Sequence, residues 1–291
     1  MSVVGVLTQL YNKSQFASVP RLVHQKDLQF VNSLNTGMLN MAVFIAPGLG
    51  GILISIYNPG FALVLNSISF LVGFLVVLSL KITPMNETSH SHFLLDIKEG
   101  FQFVWNNKPI FITNVAMLFS IVGTTLFLTM MIVHLKTAVH LNASQIGWIL
   151  SIGGLGAIGG AFLSNPLKKL LSLRAILFLA GTVGGVSIIL FSFVHTIILL
   201  ACMNAIGTMC AAMMSPSIVT IRQQLTPERL LGRVQATSRF MTWLLMPIAA
   251  LLAGVFADYM GTSITILIGG VISTLASFIY LHKSLRVVSS Y

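Results

Sequence analysis

TPERLLGRVQATSRFMTWLLMPIAALLAG, Thr226 to Gly254, opens as a charged cluster, runs directly into an apolar segment and breaks its own helical logic at Pro247. Two hundred residues earlier stands a similar object: HQKDLQFVNSLNTGMLNMAVFIAPGLGG, His24 to Gly51, with Pro47 set among Gly48, Gly50 and Gly51. Aligning the two places Pro47 on Pro247 and Gly50-Gly51 near Ala253-Gly254. Arg21 and Lys26-Asp27-Leu28 then fall within a residue or two of Arg222 and Glu228-Arg229-Leu230. The apolar stretch after the first copy, 60–82, matches 262–283 at the same offset. The chain repeats a charged joint followed by two apolar segments.

Composition says what medium this joint sits in. Hydrophobic residues make up 56% of the 291 residues and charged ones 8%, against about 25% charged in soluble domains. The apolar residues come in runs of about 20, the length of helix that crosses a hydrocarbon core. The fold class is therefore an all-α membrane protein, and the lipid bilayer is its first partner. A formal charge of +10 on a soluble face would point to nucleic acid. Here the basic residues lie a few at a time between apolar runs, so topology accounts for them and no nucleic acid is expected. Cys202 and Cys210 lie eight residues apart on one apolar run, about 12 Å along a helix and too far for a disulfide.

The hydropathy pattern predicts spans at about 31–57, 60–82, 109–134, 144–165, 173–193, 196–221, 235–258 and 262–283. The opening segment, Ser2 to Val19, carries Gln9, Asn12, Lys13 and Gln15. A central lysine costs roughly 2.5–3.5 kcal/mol on insertion scales, so this segment makes sense only packed on other helices or facing water. Of the sixteen Lys and Arg residues, fourteen fall in breaks on one side of the alternating spans, Lys136 alone falls on the other, and Lys13 lies in the opening segment. The positive-inside rule then puts the C-terminus in the cytoplasm of a multi-pass protein of the cell membrane.

The longest break is on the same side. It starts polar (PMNETSHSH) and ends in FLLDIKEGFQFVWNNK, where Leu94, Ile97, Phe101, Val104 and Trp105 share one helical face and Asp96, Lys98, Glu99 and Gln102 another. This predicts an amphipathic helix, either lying at the membrane interface or packed on the protein. The expected organisation is a bundle over 1–82, a cytoplasmic linker over 83–108 and a six-helix bundle over 109–291.

Both copies of the joint begin on the same side, so the repeat is parallel, the arrangement of the two halves of major facilitator transporters. The stretches VPRLVHQKDLQFVNSL (19–34), APGLGGIL (46–53), EGFQFVWNNKPI (99–110) and LTPERLLGRVQATSRFMTWLLMPIAALLAGVFADYMG (225–261) carry a closer likeness. In them the chain resembles the drug- and siderophore-exporter branch of the major facilitator superfamily, the group of macrolide efflux and enterobactin exporters. APGLGG resembles the antiporter motif of that superfamily's fifth helix, with Ala46 in place of the first glycine. GGAFLSNPLKKLLSLR (159–174) resembles the loop after the eighth helix but lacks the usual aspartate. The resemblance implies a major facilitator fold with a partial N-terminal half, helices four to six, and a complete C-terminal six-helix bundle. The expectation is thus a chain truncated at its N-terminus relative to the family, monomeric when full length.

What the resemblance implies for function is export of a small amphipathic molecule by alternating access, driven by protons. On the helices that line the superfamily's cavity the substrate-path candidates are Asn12, Lys13, Asn40, Asn114, Thr125, Asn204, Thr208 and Trp243, joined by Gln9, Asn35, Thr124, Ser151 and Thr242. For each, a helix–helix hydrogen bond is the competing reading. Met213, Met214, Phe240, Met241 and Met246 would suit an adaptable pocket or a lipid-facing surface. Pro47, Gly50, Gly51 and Pro247 are candidates for a hinge or seal, or for simple packing around a kink. Thr226 is expected to cap the helix that Pro227 opens. Arg222, Glu228, Arg229, Arg233 and Arg239 are candidates for a cytoplasmic gate between the halves, or for inside-positive anchoring. GxxxG pairs at Gly156/Gly160 and Gly181/Gly185 read as helix packing.

All six acidic residues are placed in breaks, so no span is expected to hold a carboxylate. His134 and His140 are read as interfacial, and no metal or cofactor is expected. Two alternatives to the exporter stand: a transport-inactive fragment of one, and a membrane-embedded enzyme acting on lipids. The enzyme would need convergent Asp, His, Ser or metal ligands near an interface, and the sequence offers no such set.

Overall fold

The computed structural model describes Met38, Ala42, Ile45, Ala46, residues 48–79 and residues 93–290. Asn12, Lys13, Asn40, Pro47 and the boundary expected at 82/83 lie outside the described residues. Among those described, residues 48–56 are helical and nine α-helices follow: α1 (Pro59–Ser79), α2 (Phe93–Asn106), α3 (Lys108–Thr137), α4 (Ala143–Leu170), α5 (Leu173–Phe191), α6 (Ile197–Leu225), α7 (Leu231–Trp243), α8 (Met246–Met260) and α9 (Thr262–Phe278). Short 3-10 turns cover Glu228–Leu230, Ile279–Leu281 and Lys283–Ser290. Seven of the described segments are long and apolar enough to cross a membrane, with α7 and α8 forming one of them.

The breaks between spans are built from local capping chemistry. Asn107 accepts from the Ile110 amide at the start of α3, and Pro109 stands in that first turn, where its missing N–H leaves nothing unpaired. Asn142 and Gln145 form a reciprocal capping box at α4, and Ser172 accepts from the Ala175 amide at α5. Between α8 and α9 the chain reverses at Gly261 with φ +85°, a backbone state that glycine adopts without steric cost.

Pro247 has a milder role than a mid-helix kink. Residues Leu244 and Leu245 interrupt the span, and Pro247 sits in the first turn of the new helix α8, where its absent N–H is one of the helix's unpaired donors anyway. At the other end of α7, Thr226 gives no side-chain cap: its hydroxyl is buried without a partner, and the Leu230 amide bonds to the Pro227 carbonyl in a 3-10 turn.

From α3 onward α9 is seated antiparallel against both α3 and α5, while α4 runs parallel to α6 and α8 parallel to α3. In lipid this packing is driven by dispersion and interhelical hydrogen bonds rather than by expulsion of water. Gly156 and Gly160 illustrate it. A Cβ at either would lie 2.1 or 2.2 Å from the Ala205 or Met209 carbonyl oxygen of α6, so the GxxxG reading as helix contact is correct. The main apolar core, around Leu126, Met131, Ile149, Phe191, Leu200 and Ile266, fills the end of the bundle near the α3–α4 turn. A second one, around Ala116, Leu177, Ile221 and Tyr280, fills the end where Arg174 and Arg222 lie, called here the basic end.

Helix α2 packs on the protein along one face. Gly100 and Val104 are buried against α7, where a Cβ at residue 100 would meet the Arg233 carbonyl at 2.9 Å. Ile97, Phe101 and Trp105, on the adjoining flank, remain exposed. The apolar stripe read from the sequence is therefore divided: Val104 faces protein, while Ile97, Phe101 and Trp105 face outward.

Candidate functional site

The polar candidates sort by what they touch. Asn204 is buried and donates Nδ2 to the Ile149 carbonyl at 3.0 Å. Thr208 donates across the same contact to the Gly153 carbonyl at 2.6 Å. Both clamp α6 to α4, and their polar groups are satisfied by backbone. Thr125 is buried, whereas its neighbour Thr124 borders the bundle's open space.

Asn114 does something else. Wholly buried on α3, it donates Nδ2 to Ser238 Oγ at 3.0 Å and accepts from an Arg222 terminal nitrogen at 2.9 Å. Arg222, on the last turn of α6, is itself only 5% exposed. The same Arg222 nitrogen lies 3.5 Å from the Met117 sulfur, and the other terminal nitrogen donates to Gln235 Oε1 at 3.2 Å. All of these partners are neutral, and its Nε has none. One guanidinium thus ties α3, α6 and α7 together at the basic end while keeping its whole charge.

This network borders a cavity of about 320 Å³ lined by α3, α6, α7 and Tyr280. Met117, Ile121, Met214, Ile218 and Val219 supply its apolar wall. At its rim the Arg239 guanidinium lies 5.4 Å from the Trp243 ring centroid, a cation–π arrangement. Ser120, Thr124, Ala211 and Met214 also line a second cavity of about 250 Å³ that reaches α5 and the Asn204–Thr208 clamp. Of the methionine–aromatic set, Met214 lines both cavities, while Phe240 and Met246 are exposed.

The charged candidates separate in the same way. Arg229 pairs with Glu99 at 2.8 Å, and Arg233 reaches the other oxygen of the same carboxylate. These contacts join α2 to the start of α7. Glu228 opens the 3-10 turn beside them. Arg222 and Arg239 face the cavity instead, so the five gate candidates form two groups with different surroundings.

The glycine motif is divided too. A Cβ at Gly51 would lie 2.6 Å from the Ala143 carbonyl oxygen and 3.0 Å from Gly147 Cα; one at Gly48 would lie 2.7 Å from Ser151 Oγ. Around Gly50 nothing stands within 4 Å. Gly48 and Gly51 are three apart on one helical face, and they form a close seam with α4 near the α3–α4 turn, away from the basic end. His134 is near that end as well, but it is fully buried rather than interfacial, its Nδ1 3.0 Å from Thr262 Oγ1. Asp258, placed in a break from the sequence, lies exposed in the last turn of α8. Among the described residues no cluster of His, Cys, Asp and Glu could hold a metal ion.

Sequence reasoning did not single out Ser238, Gln235 or Tyr280. The signal available was the spacing of Gln235, Ser238, Arg239 and Thr242, which share one face of α7 and make it polar toward α3 and α6.

Comparison with known proteins agrees with this architecture. The chain is 27% identical over 250 residues to the multidrug efflux pump Tap of Mycolicibacterium fortuitum, covering 82% of this chain and 59% of that pump. It is 26% identical over 233 residues to the enterobactin exporter EntS of Escherichia coli O1:K1 / APEC, covering 79% and 55%. It thus spans between half and two thirds of the length of these curated relatives. The fold matches a bacterial metal transporter with a TM-score of 0.67 at 18% identity, over 96% of this chain and 71% of that one. It matches equally a bacterial homologue of the iron transporter ferroportin in an inward-facing state, with a TM-score of 0.67 at 17% identity, over 94% and 66%. The family model of transmembrane secretion effectors matches residues 1–291 throughout, and the chain belongs to that family of major facilitator transporters.

Proposed function

We propose that the protein takes part in exporting a small amphipathic molecule by alternating access, coupled to protons, with its basic end and C-terminus in the cytoplasm. The observation that carries the reading is the pairing of a close glycine seam at one end with a cavity at the other. The seam brings residues 48–51 against α4, and the cavity lies beside Arg222 and Tyr280. Helices that touch through small residues can part and re-form that contact at little cost in side-chain rearrangement. The cavity wall is apolar with polar groups beside it, which suits a molecule with one greasy and one polar part. For coupling, the described spans offer His134, wholly buried and hydrogen-bonded to Thr262 across α3 and α9. The orientation follows from Arg174, Arg222, Arg229 and Arg233 standing at one end and Lys136 at the other.

Multidrug pump and siderophore exporter relatives set the substrate range to test. Cells lacking their own efflux pumps, loaded with ethidium, would express residues 1–291 with and without a protonophore. Ethidium loss that the protonophore abolishes supports the reading. Equal retention with and without the protein would refute export of this cationic dye by the chain, and loss indifferent to the protonophore would refute proton coupling.

A further inference from the structure

We infer that the cavity between α3, α6 and α7 is an anion site: it takes the carboxylate or phosphate group of an amphipathic molecule against Arg222 and Tyr280. That such a molecule is carried across the membrane rests on the exporter reading; the site itself rests on two orphaned groups. Arg222 is buried, its hydrogen bonds go to the neutral Asn114, Gln235 and Met117, and its Nε has no partner. Tyr280, on a different element, is wholly buried and its hydroxyl also lacks a partner. Both side chains border the same cavity of about 320 Å³.

A buried cation is costly unless something of opposite charge accompanies it. Among the described residues no carboxylate contacts Arg222, so its charge is met only by neutral acceptors. What the fold supplies instead is orientation. Asn114 is held by Ser238 at 3.0 Å and in turn holds the guanidinium at 2.9 Å, so the charge is fixed in place before any ligand arrives. An anion in the cavity would neutralise it and accept from the Tyr280 hydroxyl, two donors of the strength that charged acceptors reward most. The apolar wall would hold the rest of the molecule, and Arg239 over Trp243 at the rim adds positive field along the way in. Free solutes and anionic lipid headgroups share this chemistry.

The test uses 1-pyrenebutyrate and its uncharged methyl ester, with the full chain in nanodiscs of phosphatidylcholine and binding read by fluorescence. The acid should bind at least roughly tenfold tighter than the ester, as one added charged hydrogen bond implies. R222Q should bring acid and ester to equal affinity, R222K should restore part of the preference, and Y280F should weaken the acid alone. Adding phosphatidylglycerol separates the sources: unchanged acid binding assigns the site to free solutes, and competitive loss, itself dependent on Arg222, assigns it to headgroups. Equal binding of acid and ester by the unaltered chain overturns the inference even if R222Q does not fold, as does a preference that survives R222Q. Ethidium efflux without acid preference would sink the site and leave the exporter; acid preference without ethidium efflux would leave the site and sink only export of that cation.

Discussion

Gly50 and Gly51 stand side by side in the chain, yet alanine should act oppositely at the two positions. At Gly51 the new Cβ would be 2.6 Å from the Ala143 carbonyl oxygen and 3.0 Å from Gly147 Cα, both backbone atoms of α4. Ordinary carbon contacts begin near 3.5 Å, so the helices must separate by about 0.5–1 Å. Overpacking of that kind costs about 1–3 kcal/mol. At Gly50 nothing lies within 4 Å, and the substitution gains up to about 1 kcal/mol of helix propensity. Because both positions are helical the propensity gain is common to both, so the two variants should differ by the overpacking cost, about 1–3 kcal/mol, with Gly51→Ala the less stable. Thermal unfolding of the purified chain, followed by loss of the monodisperse elution peak, reads this directly. Domains somewhat smaller than this chain shift by about 2–4 °C per kcal/mol, so the melting points should stand several degrees apart. If the seam closes in only one transport state, the same cost also tilts the balance away from that state by about tenfold or more. Equal melting points, or Gly51→Ala the higher, would refute the seam.

Three further outcomes follow from the contacts. The Glu99–Arg233 coupling from an E99Q/R233Q double-mutant cycle should be about 1 kcal/mol or less, because both side chains are about one-third exposed; a larger coupling would make the α2–α7 contact a principal clamp. Asn204→Ala should cost about 0.6–1.7 kcal/mol of stability, the range of membrane interhelical hydrogen bonds; unchanged stability with selectively lost efflux would instead return Asn204 to the substrate path. Trp105, 62% exposed on α2, should be quenched by bromines near the headgroups of brominated lipids in a W148F/W243F background. Quenching only by deep bromines would put α2 out of the interface.

The spans were legible in the sequence because lipid enforces length and apolarity: α3 to α6 and α9 fall within a few residues of the hydropathy reading. Partners were not. Asn204 and Asn114 are the same residue type on neighbouring apolar helices, yet one bonds a backbone carbonyl and the other a guanidinium. Nothing within either helix's own pattern distinguishes them, since the partners are 55 and 108 residues away. His134 failed for a related reason: its place near the end of a span reads as interfacial, but the α9 start folds over it and offers Thr262. The arginines at 222 to 239 read as one charged group because they are close in sequence. Helix α2 takes two of them and the cavity takes two others.

The sharpest separation between a structural and a ligand-binding role for that cavity lies in Asn114→Asp. The Asn114 oxygen already sits 2.9 Å from an Arg222 nitrogen, so the variant places a carboxylate where a neutral acceptor was without changing the size of the side chain. Ser238, which now accepts from Asn114 at 3.0 Å, can turn its hydroxyl to donate to the second carboxylate oxygen. The variant therefore completes the buried pair that the natural chain leaves open, and folding stability should hold or rise. If the Asn114–Arg222–Gln235 network serves only to join α3, α6 and α7, ligand binding has no reason to change. If Arg222 waits for an external anion, the built-in carboxylate occupies its charge, and 1-pyrenebutyrate should bind no better than its methyl ester. A stable Asn114→Asp protein that still prefers the acid by the full wild-type margin would refute the role assigned to Arg222. The carboxylate that natural sequence omits at position 114 is then the feature that makes the cavity selective.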